Sequence, residues 1–160
     1  MTTDKKRIGK LITWADEALS EQAADQTLPS GTGKMLSGID INDSYNGAVA
    51  ALGVSIAMGG LRPALAIYYQ EGEKQDNQEN AACPKANRRT VLDVIARMIT
   101  MDAKSRQPNK NEWDFSIGDR GYAYNLFNYA IANDDTLLKQ EVIDCSIALK
   151  HIVRTYNLVK

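Results

Sequence analysis

Residues 45–70, YNGAVAALGVSIAMGGLRPALAIYYQ, form a nearly uncharged stretch, and the rest of the chain is predicted to be arranged around it. Arg62 carries its only formal charge. Apolar residues recur in its first half with the period of a helix that buries one face, at Tyr45, Ala48, Val49, Leu52 and Ile56. The stretch is therefore predicted to lie in the core of a helical protein.

Local signals divide this stretch into two helices joined by a corner. Three residues whose side-chain oxygens can cap a helix precede it, Asn42, Asp43 and Ser44. Gly59-Gly60 follows the apolar stripe, and glycine readily adopts the positive φ that ends a helix. Pro63 suits the first turn of a second helix, because no backbone N–H is needed there. The sequence thus predicts a helix, a glycine corner and a short second helix, both helices being largely buried.

The same stretch does not meet the requirements of a membrane span. A transmembrane helix needs about 20 uninterrupted apolar residues, and the corner at residues 59–63 interrupts the run. Residues 1–10 are basic, but no continuous apolar run follows, so no signal peptide is expected. Cys83 and Cys145 lack metal-ligand spacing and fit reduced thiols, with a disulfide as the less favoured alternative. These features predict a cytoplasmic protein without a membrane contact.

Length and periodicity extend the helical prediction to the whole chain. The 160 residues are expected to form one domain, residues 1–160, with its own core. Further helices are predicted over residues 3–24, 84–103, 119–132 and 135–158. The predicted fold class is all-α, a compact single-domain bundle of about six helices. One exposed line of the helix over 84–103, basic except for Asp93, is expected to contain Lys85, Arg89, Asp93, Arg97 and Lys104.

Charge is unevenly distributed although the totals nearly cancel, with 19 Lys and Arg residues against 20 Asp and Glu residues. Residues 1–10, 85–110 and 145–160 are basic, whereas residues 71–79 and 112–144 are acidic. Two interpretations remain open. The blocks present one positive face to a polyanion, or they form a patchwork surface whose charges average out in space.

No motif predicts catalysis or cofactor binding. Residues 30–34, SGTGK, resemble part of a phosphate-binding loop, but Leu28 replaces the required first glycine and Met35 the required Ser or Thr. His151 is the single histidine, and no carboxylate lies three or four positions from it. The sequence therefore predicts a protein that is not an enzyme, with no catalytic residue, no cofactor and no metal site.

Several positions of the core stretch resemble those of a known family. They are Tyr45, which opens the first helix, the corner Gly59-Gly60-Leu61, and Ala64-Leu65-Ala66 in the second helix. A polar loop and three further helices follow. Over most of its length the chain resembles the small subunit of the type III-B CRISPR RNA-targeting complex, the Cmr effector. That family is similar in size and all-helical.

The resemblance implies a non-catalytic role in antiviral defence. Members of the family sit in several copies along the inner side of the effector complex. They contact the guide–target RNA region, the large polymerase-like subunit, the backbone subunits and neighbouring copies of themselves. The partners that the resemblance implies are therefore these subunits and the backbones of guide RNA and target RNA.

The RNA-contacting residues are inferred from the charge blocks and from helical spacing, since no family motif assigns them. Lys and Arg side chains that contact phosphates bind without reading sequence, and such binding weakens as salt increases. The hypothesis is a positive face toward RNA that contains Lys5, Lys6, Lys10, Arg88, Arg89, Arg97, Lys150 and Arg154.

Two other functions are compatible with the sequence. A helical protein–protein adaptor without a nucleic-acid role predicts that the basic residues scatter over the folded surface. An enzyme whose site assembles from distant residues predicts a concave pocket with convergent titratable groups, such as Asp and Tyr side chains.

Overall fold

The computed structural model describes residues 5–29, 32–71, 86–106, 113–118, 120–133 and 135–159, except for the side chains of Lys5 and Glu71. Within these residues the chain forms six helices: α1 (Lys5–Ala24), α2 (Ser44–Gly59), α3 (Leu61–Glu71), α4 (Arg88–Arg106), α5 (Tyr122–Ala132) and α6 (Thr136–Val153). Three short strands accompany them: β1 (Leu36–Ser37), β2 (Asp40–Asn42) and β3 (Asn157–Val159). The predicted all-α class and the compact helical bundle are confirmed. No helix in the described part of the chain is both long and apolar enough to cross a membrane.

Helix α4 lies at the centre of the bundle and packs against all five other helices. Every residue from Arg89 to Thr100 is buried, so the helix has no solvent-exposed side over this length. A helix buried on all sides is normally apolar all round, yet α4 carries two arginines and Asp93 in this segment. The central element is therefore α4, and the expectation that the chain is arranged around residues 45–70 is wrong.

The helix–corner–helix prediction for residues 45–70 is confirmed. The buried stripe of α2 consists of the predicted residues, Tyr45, Ala48, Val49, Leu52 and Ile56. Gly60 has a φ of 95° and donates its N–H to the carbonyl oxygen of Ile56, which ends α2. Pro63 lies in the first turn of α3. The hydroxyl of Tyr68 in α3 donates to the carbonyl oxygen of Ala48 at 2.7 Å, which joins the two helices.

The three strands form a small sheet that the sequence analysis missed. β1 pairs antiparallel with β2, and β2 pairs parallel with β3. The sequence predicts a last helix that extends to residue 158, but α6 ends at Val153 and the chain turns into β3. The N–H of Asp43 donates to the carbonyl oxygen of Val159 at 2.7 Å. The sheet thus ties the segment after α6 to the start of α2.

Gly60→Ala is expected to destabilise the protein by about 1–3 kcal/mol, because alanine rarely adopts a φ of 95°. An added Cβ would meet Pro63 Cδ at 3.8 Å, an ordinary contact, so the cost comes from backbone conformation. Gly59→Ala is the matched control, since nothing lies within 4 Å of a Cβ at this helical position. We expect that control to be neutral or slightly stabilising. Urea unfolding followed by circular dichroism measures both variants, and equal effects would contradict the corner's assigned role.

Candidate nucleic-acid interface

Arg97 lies in the interior, where its guanidinium group contacts three carboxylates. The side chain is 2% exposed. Its nitrogens lie 2.8 Å from Asp93 Oδ2, 2.7 Å from Glu21 Oε1 and 2.6 Å from Asp25 Oδ2. The guanidinium carbon also lies 4.4 Å from the centre of the Tyr122 ring. Arg97 is therefore engaged on several sides by groups of its own chain.

Asp93 extends this network from α4 to α1. Gln22 donates from Nε2 to Asp93 Oδ2 at 2.8 Å and to the carbonyl oxygen of Thr90 at 3.2 Å. The Oε1 atom of Gln22 accepts the N–H of Met35 at 3.0 Å. Burial raises the pKa of Asp93, whereas Arg97 and Gln22 act in the opposite direction. The arginine thus supplies the positive charge that lets the Asp93 carboxylate lie in the interior.

The first turn of α4 carries two arginines that pack on tyrosines of α3. Arg89 is 6% exposed. Its Nε–H donates to the carbonyl oxygen of Tyr69 at 2.8 Å, and its guanidinium carbon lies 3.9 Å from the centre of the same ring. Arg88 lies over the ring of Tyr68, 4.8 Å from its centre. Both contacts have the geometry of cation–π pairs.

The exposed basic line predicted on this helix is wrong for three of its members, because α4 is surrounded by other helices. The three buried members are Arg89, Asp93 and Arg97. Lys104 is exposed, as predicted, and lies 3.7 Å from Asp114. Lys85 lies outside the described residues.

Three of the eight candidate RNA-contacting residues lie at one end of the bundle, where α2 and α4 begin and α6 ends. We call this region the strand-bearing end, and the three residues are Arg88, Arg89 and Arg154. Arg154 donates from Nε to Asn46 Oδ1 at 3.3 Å, in the first turn of α2. The N–H of Ala86, just before α4, donates to Ser44 Oγ at 2.7 Å. Lys150 is in the last turn of α6, four positions before Arg154.

The basic residues of α1 lie toward the opposite end. Lys6 and Lys10 are exposed. Arg7, between them in sequence, contacts Asp102 at 3.1 Å. Asp102 lies about 20 Å along α4 from the first turn of that helix. The side chain of Lys5 is not described. The eight residues therefore do not form one continuous positive face.

A second buried charge cluster joins α1, α4 and α6 near that opposite end. Arg7 contacts both Asp102 and Glu141, and Arg106 lies 2.9 Å from Asp102 Oδ2. Burial and the hydrogen bond with Asp102 raise the pKa of Glu141 to about 7. Burial acts to raise the pKa of Asp102 as well, but the hydrogen bonds from Glu141 and Arg7 outweigh it and lower that pKa. The carboxyl group of Glu141 therefore keeps its proton to a higher pH than an ordinary glutamate does.

A cleft of about 410 Å³ beside Arg97 has the Asp and Tyr groups that the enzyme hypothesis predicts. Asp25, Asp93 and Tyr122 line it. The hydrogen bond from Arg97, with those from Thr27, lowers the pKa of Asp25 to about 2. Burial and the neighbouring Glu21 raise the pKa of Tyr122 to about 12. General acid–base catalysis works best with a pKa near the working pH, so Asp25 and Tyr122 are poorly suited to it.

Metal-binding groups are not gathered in the described part of the chain. No set of three His, Cys, Asp or Glu side chains that could hold a metal ion occurs there. His151 is exposed on the last turn of α6. Cys145 is a free buried thiol whose pKa is raised by burial. Cys83 lies outside the described residues.

Sequence reasoning missed a second cleft, in which arginines and tyrosines of α3, α4 and the start of α5 come together. Arg120 lies over the ring of Tyr124, 4.7 Å from its centre. That ring lies 6.1 Å from the ring of Tyr69, which carries Arg89. Arg120 belongs to residues 112–144, which are acidic on average, so a count of charges over that range did not select it. The sequence indicated this contact only by the spacing of four positions between Arg120 and Tyr124.

Comparisons of the chain with protein-family models, with curated proteins and with solved structures found no match.

Arg97→Met is expected to destabilise the protein by about 3–5 kcal/mol, because it leaves Asp93 buried without its positive partner. Adding Asp93→Asn to the same chain is expected to recover part of the loss, since an amide needs no counter-charge. Lys104→Met, on an exposed part of α4, is the control and is expected to cost less than about 0.5 kcal/mol. Urea unfolding measures all three. An Arg97→Met effect as small as the Lys104→Met effect would show that the network does not support the fold.

The pH dependence of stability is expected to report on Glu141. Its pKa is about 7 in the folded protein against an ordinary value of 4.5. A raised folded-state pKa stabilises the fold fully below the unfolded pKa, and the contribution is lost as pH rises through the folded pKa. Glu141→Gln cannot ionise. The stability of the unaltered protein relative to Glu141→Gln should therefore fall by about 2–3 kcal/mol from acid to neutral pH.

Urea unfolding from about pH 4 to about pH 8 measures this difference. Glu17→Gln, at an exposed position of α1, controls for the loss of a surface carboxylate. If the stability of the unaltered protein relative to Glu141→Gln stays constant, or increases as the pH rises, the result contradicts the raised pKa of Glu141.

Proposed function

We propose that the protein is a non-catalytic small subunit of a type III-B CRISPR RNA-targeting effector. In this role it assembles in several copies, contacts the large polymerase-like and backbone subunits, and lies beside guide and target RNA in antiviral defence. The observation that carries the proposal is the helix–glycine–helix unit of α2 and α3. The sequence of this unit resembles the corresponding corner of that family.

The corner supports the proposal because the residues of the resemblance also determine how α2 and α3 pack. Tyr45 is buried at the start of α2, and its hydroxyl accepts the N–H of Asn87 at 3.2 Å, just before α4. Ala64 and Leu65 are buried in α3. Gly60 supplies the positive φ between the helices. These buried positions therefore fix how α2 and α3 are held together, and with it which other residues of the pair face solvent, on which an assembly role depends.

The outer face of α2 supports contacts with protein partners. Uncharged small or apolar residues recur along it at Gly47, Ala51, Val54 and Met58. Val54 is 58% exposed and Met58 84% exposed, so the expectation that both helices are largely buried is wrong for this face. Neighbouring exposed apolar side chains are typical of interaction surfaces. We assign this face to a neighbouring subunit, either another copy or a different component of the effector.

Of the eight candidate residues, only those at the strand-bearing end are proposed to contact RNA. The arginines gathered there are Arg88, Arg89 and Arg154. Arg97 is left out because its guanidinium group contacts three carboxylates in the interior. Lys6 and Lys10 are left out because they lie toward the opposite end. The proposed interface is thus smaller than the charge blocks alone suggest.

A helical protein–protein adaptor without a nucleic-acid role is the second candidate. This function predicts scattered basic residues, and the eight candidates are divided between two ends of the bundle and its interior. The apolar face of α2 serves an adaptor equally well. Direct RNA contact inside an assembled complex is the property that separates the two functions.

Co-expression with the other subunits of a type III-B effector and a guide RNA tests the proposal. We expect the chain to elute with the complex and to form ultraviolet cross-links to guide or target RNA. Val54→Glu/Met58→Glu is expected to abolish co-elution, because it places two charges on the apolar face of α2. The matched control is Ile131→Glu/Leu137→Glu, which alters exposed apolar residues of α5 and α6 and should co-elute normally.

Three outcomes would change this assignment. Failure of the unaltered chain to co-elute contradicts the effector role. Co-elution without any RNA cross-link favours the adaptor. Equal loss of co-elution in the α2 variant and its control removes the α2 face as the contact surface.

A further inference from the structure

The cleft that sequence reasoning missed has a lining suited to an anion with a planar group. It encloses about 300 Å³, near the lower limit for pockets that hold small ligands. Its walls come from the segment after α1, the end of α3, and the starts of α4 and α5. The lining consists of Pro29, Thr32, Tyr69, Arg89, Arg120, Ala123 and Tyr124.

Two other clefts show that this charge pattern is not general on the surface. The cleft beside Arg97 also contains two carboxylates, Asp25 and Asp93. The cleft at the corner between α2 and α3 contains Asp135 along with its basic residues. By contrast, no carboxylate is among the described residues that line the arginine–tyrosine cleft, which has two guanidinium groups. Its lining therefore favours a negatively charged ligand.

The aromatic residues of the cleft form an ordered stack. The centre of the Tyr69 ring lies 3.9 Å from the guanidinium carbon of Arg89 and 5.0 Å from the centre of the nearly parallel ring of Phe127. Tyr124 is half-buried and carries Arg120 at 4.7 Å. Arginine planes and tyrosine rings are the groups on which unpaired bases stack in RNA-binding proteins. The packing of Tyr69 holds one wall of the cleft in place before a ligand arrives.

Two polar groups in the cleft lack a bonding partner in the described structure. Arg120 is exposed and makes no ion pair or hydrogen bond with the described residues. The hydroxyl oxygen of Thr32 is buried and has no hydrogen-bond partner among those residues. A phosphate oxygen accepts hydrogen bonds from both kinds of donor. These two groups thus give the phosphate of a ligand a place to bind.

We infer that this cleft binds one unpaired nucleotide of a single-stranded RNA, with the phosphate on Arg120 and the base against Tyr124. The choice of RNA as the source of the nucleotide rests on the proposed function. A concave site of this volume accepts one exposed base with its phosphate, whereas the bases of a duplex are stacked and paired. The binding is expected to tolerate any sequence, because every base has an aromatic face.

Fluorescence anisotropy of the full chain with a labelled oligouridylate of about ten residues tests the inference. Arg120→Gln should weaken binding and reduce the slope of log affinity against log salt by about 0.7, because one phosphate contact is lost. Tyr124→Leu should weaken binding roughly 5- to 100-fold and leave the slope unchanged, because stacking carries no charge. A duplex of the same length should bind more weakly than the single strand.

Two variants serve as controls. Lys139→Gln removes one positive charge from a different cleft and should change neither affinity nor slope. Arg120→Lys should restore the salt slope, since it retains the charge. Circular dichroism checks that each variant is folded.

Competition distinguishes a nucleotide of RNA from other anions. Uridine monophosphate should displace the oligouridylate at lower concentration than inorganic phosphate does. Equal competition by inorganic phosphate overturns the inference in favour of a general anion site. A mononucleotide that competes as well as an unlabelled oligouridylate would assign the cleft to free nucleotides instead of RNA.

The inference and the proposed function fail in different ways. No binding by the unaltered chain at about 50 mM salt, or binding unaffected by Arg120→Gln and Tyr124→Leu, overturns the cleft assignment and leaves the effector role intact. A chain that binds the oligouridylate as expected, but does not assemble with effector subunits, overturns the effector role and supports the cleft.

Discussion

The ion pairs of Arg97 are the interaction on which the rest of the structure depends. Helix α4 is enclosed by five other helices, so its polar residues must find partners inside the protein. Asp93, one turn earlier, and Glu21 and Asp25, from the end of α1 and the segment after it, supply those partners. An unpaired charge in such a position would cost several kcal/mol. The network therefore fixes the position of α1 relative to α4, and it also pairs the charges that α4 carries in the interior.

Local sequence signals predicted the parts of the fold that depend on neighbouring residues. The glycine corner at Gly60 and the apolar stripe of α2 follow from side chains within a few positions of each other. The burial of Arg97 does not, because its partners Glu21 and Asp25 lie 76 and 72 positions away. The helical period alone therefore predicted that Arg97 lies on an exposed line of this helix. The pairing of β2 with β3 is equally non-local, since it joins residues 40–42 to residues 157–159.

The candidate interface was predicted only in part, for a related reason. Counting charges by block selected Arg88 and Arg89, which the fold keeps side by side on tyrosines of α3, but it did not separate buried from accessible positive charge. It also passed over Arg120, whose neighbours in sequence are mostly acidic. Its contacts become visible only when the end of α3, the starts of α4 and α5, and residues 29–32 are brought together. The candidate surface is thus defined by tertiary packing more than by composition.

Native-state hydrogen exchange is the measurement that tests the central position of α4 most directly. Amides in the most protected elements exchange only through global unfolding. We expect the amides of residues 92–102 to be the slowest in the protein and to report one common free energy, close to that from urea unfolding. Amides of α4 that exchange faster than those of α2 would contradict the account, because α2 has one face open to solvent.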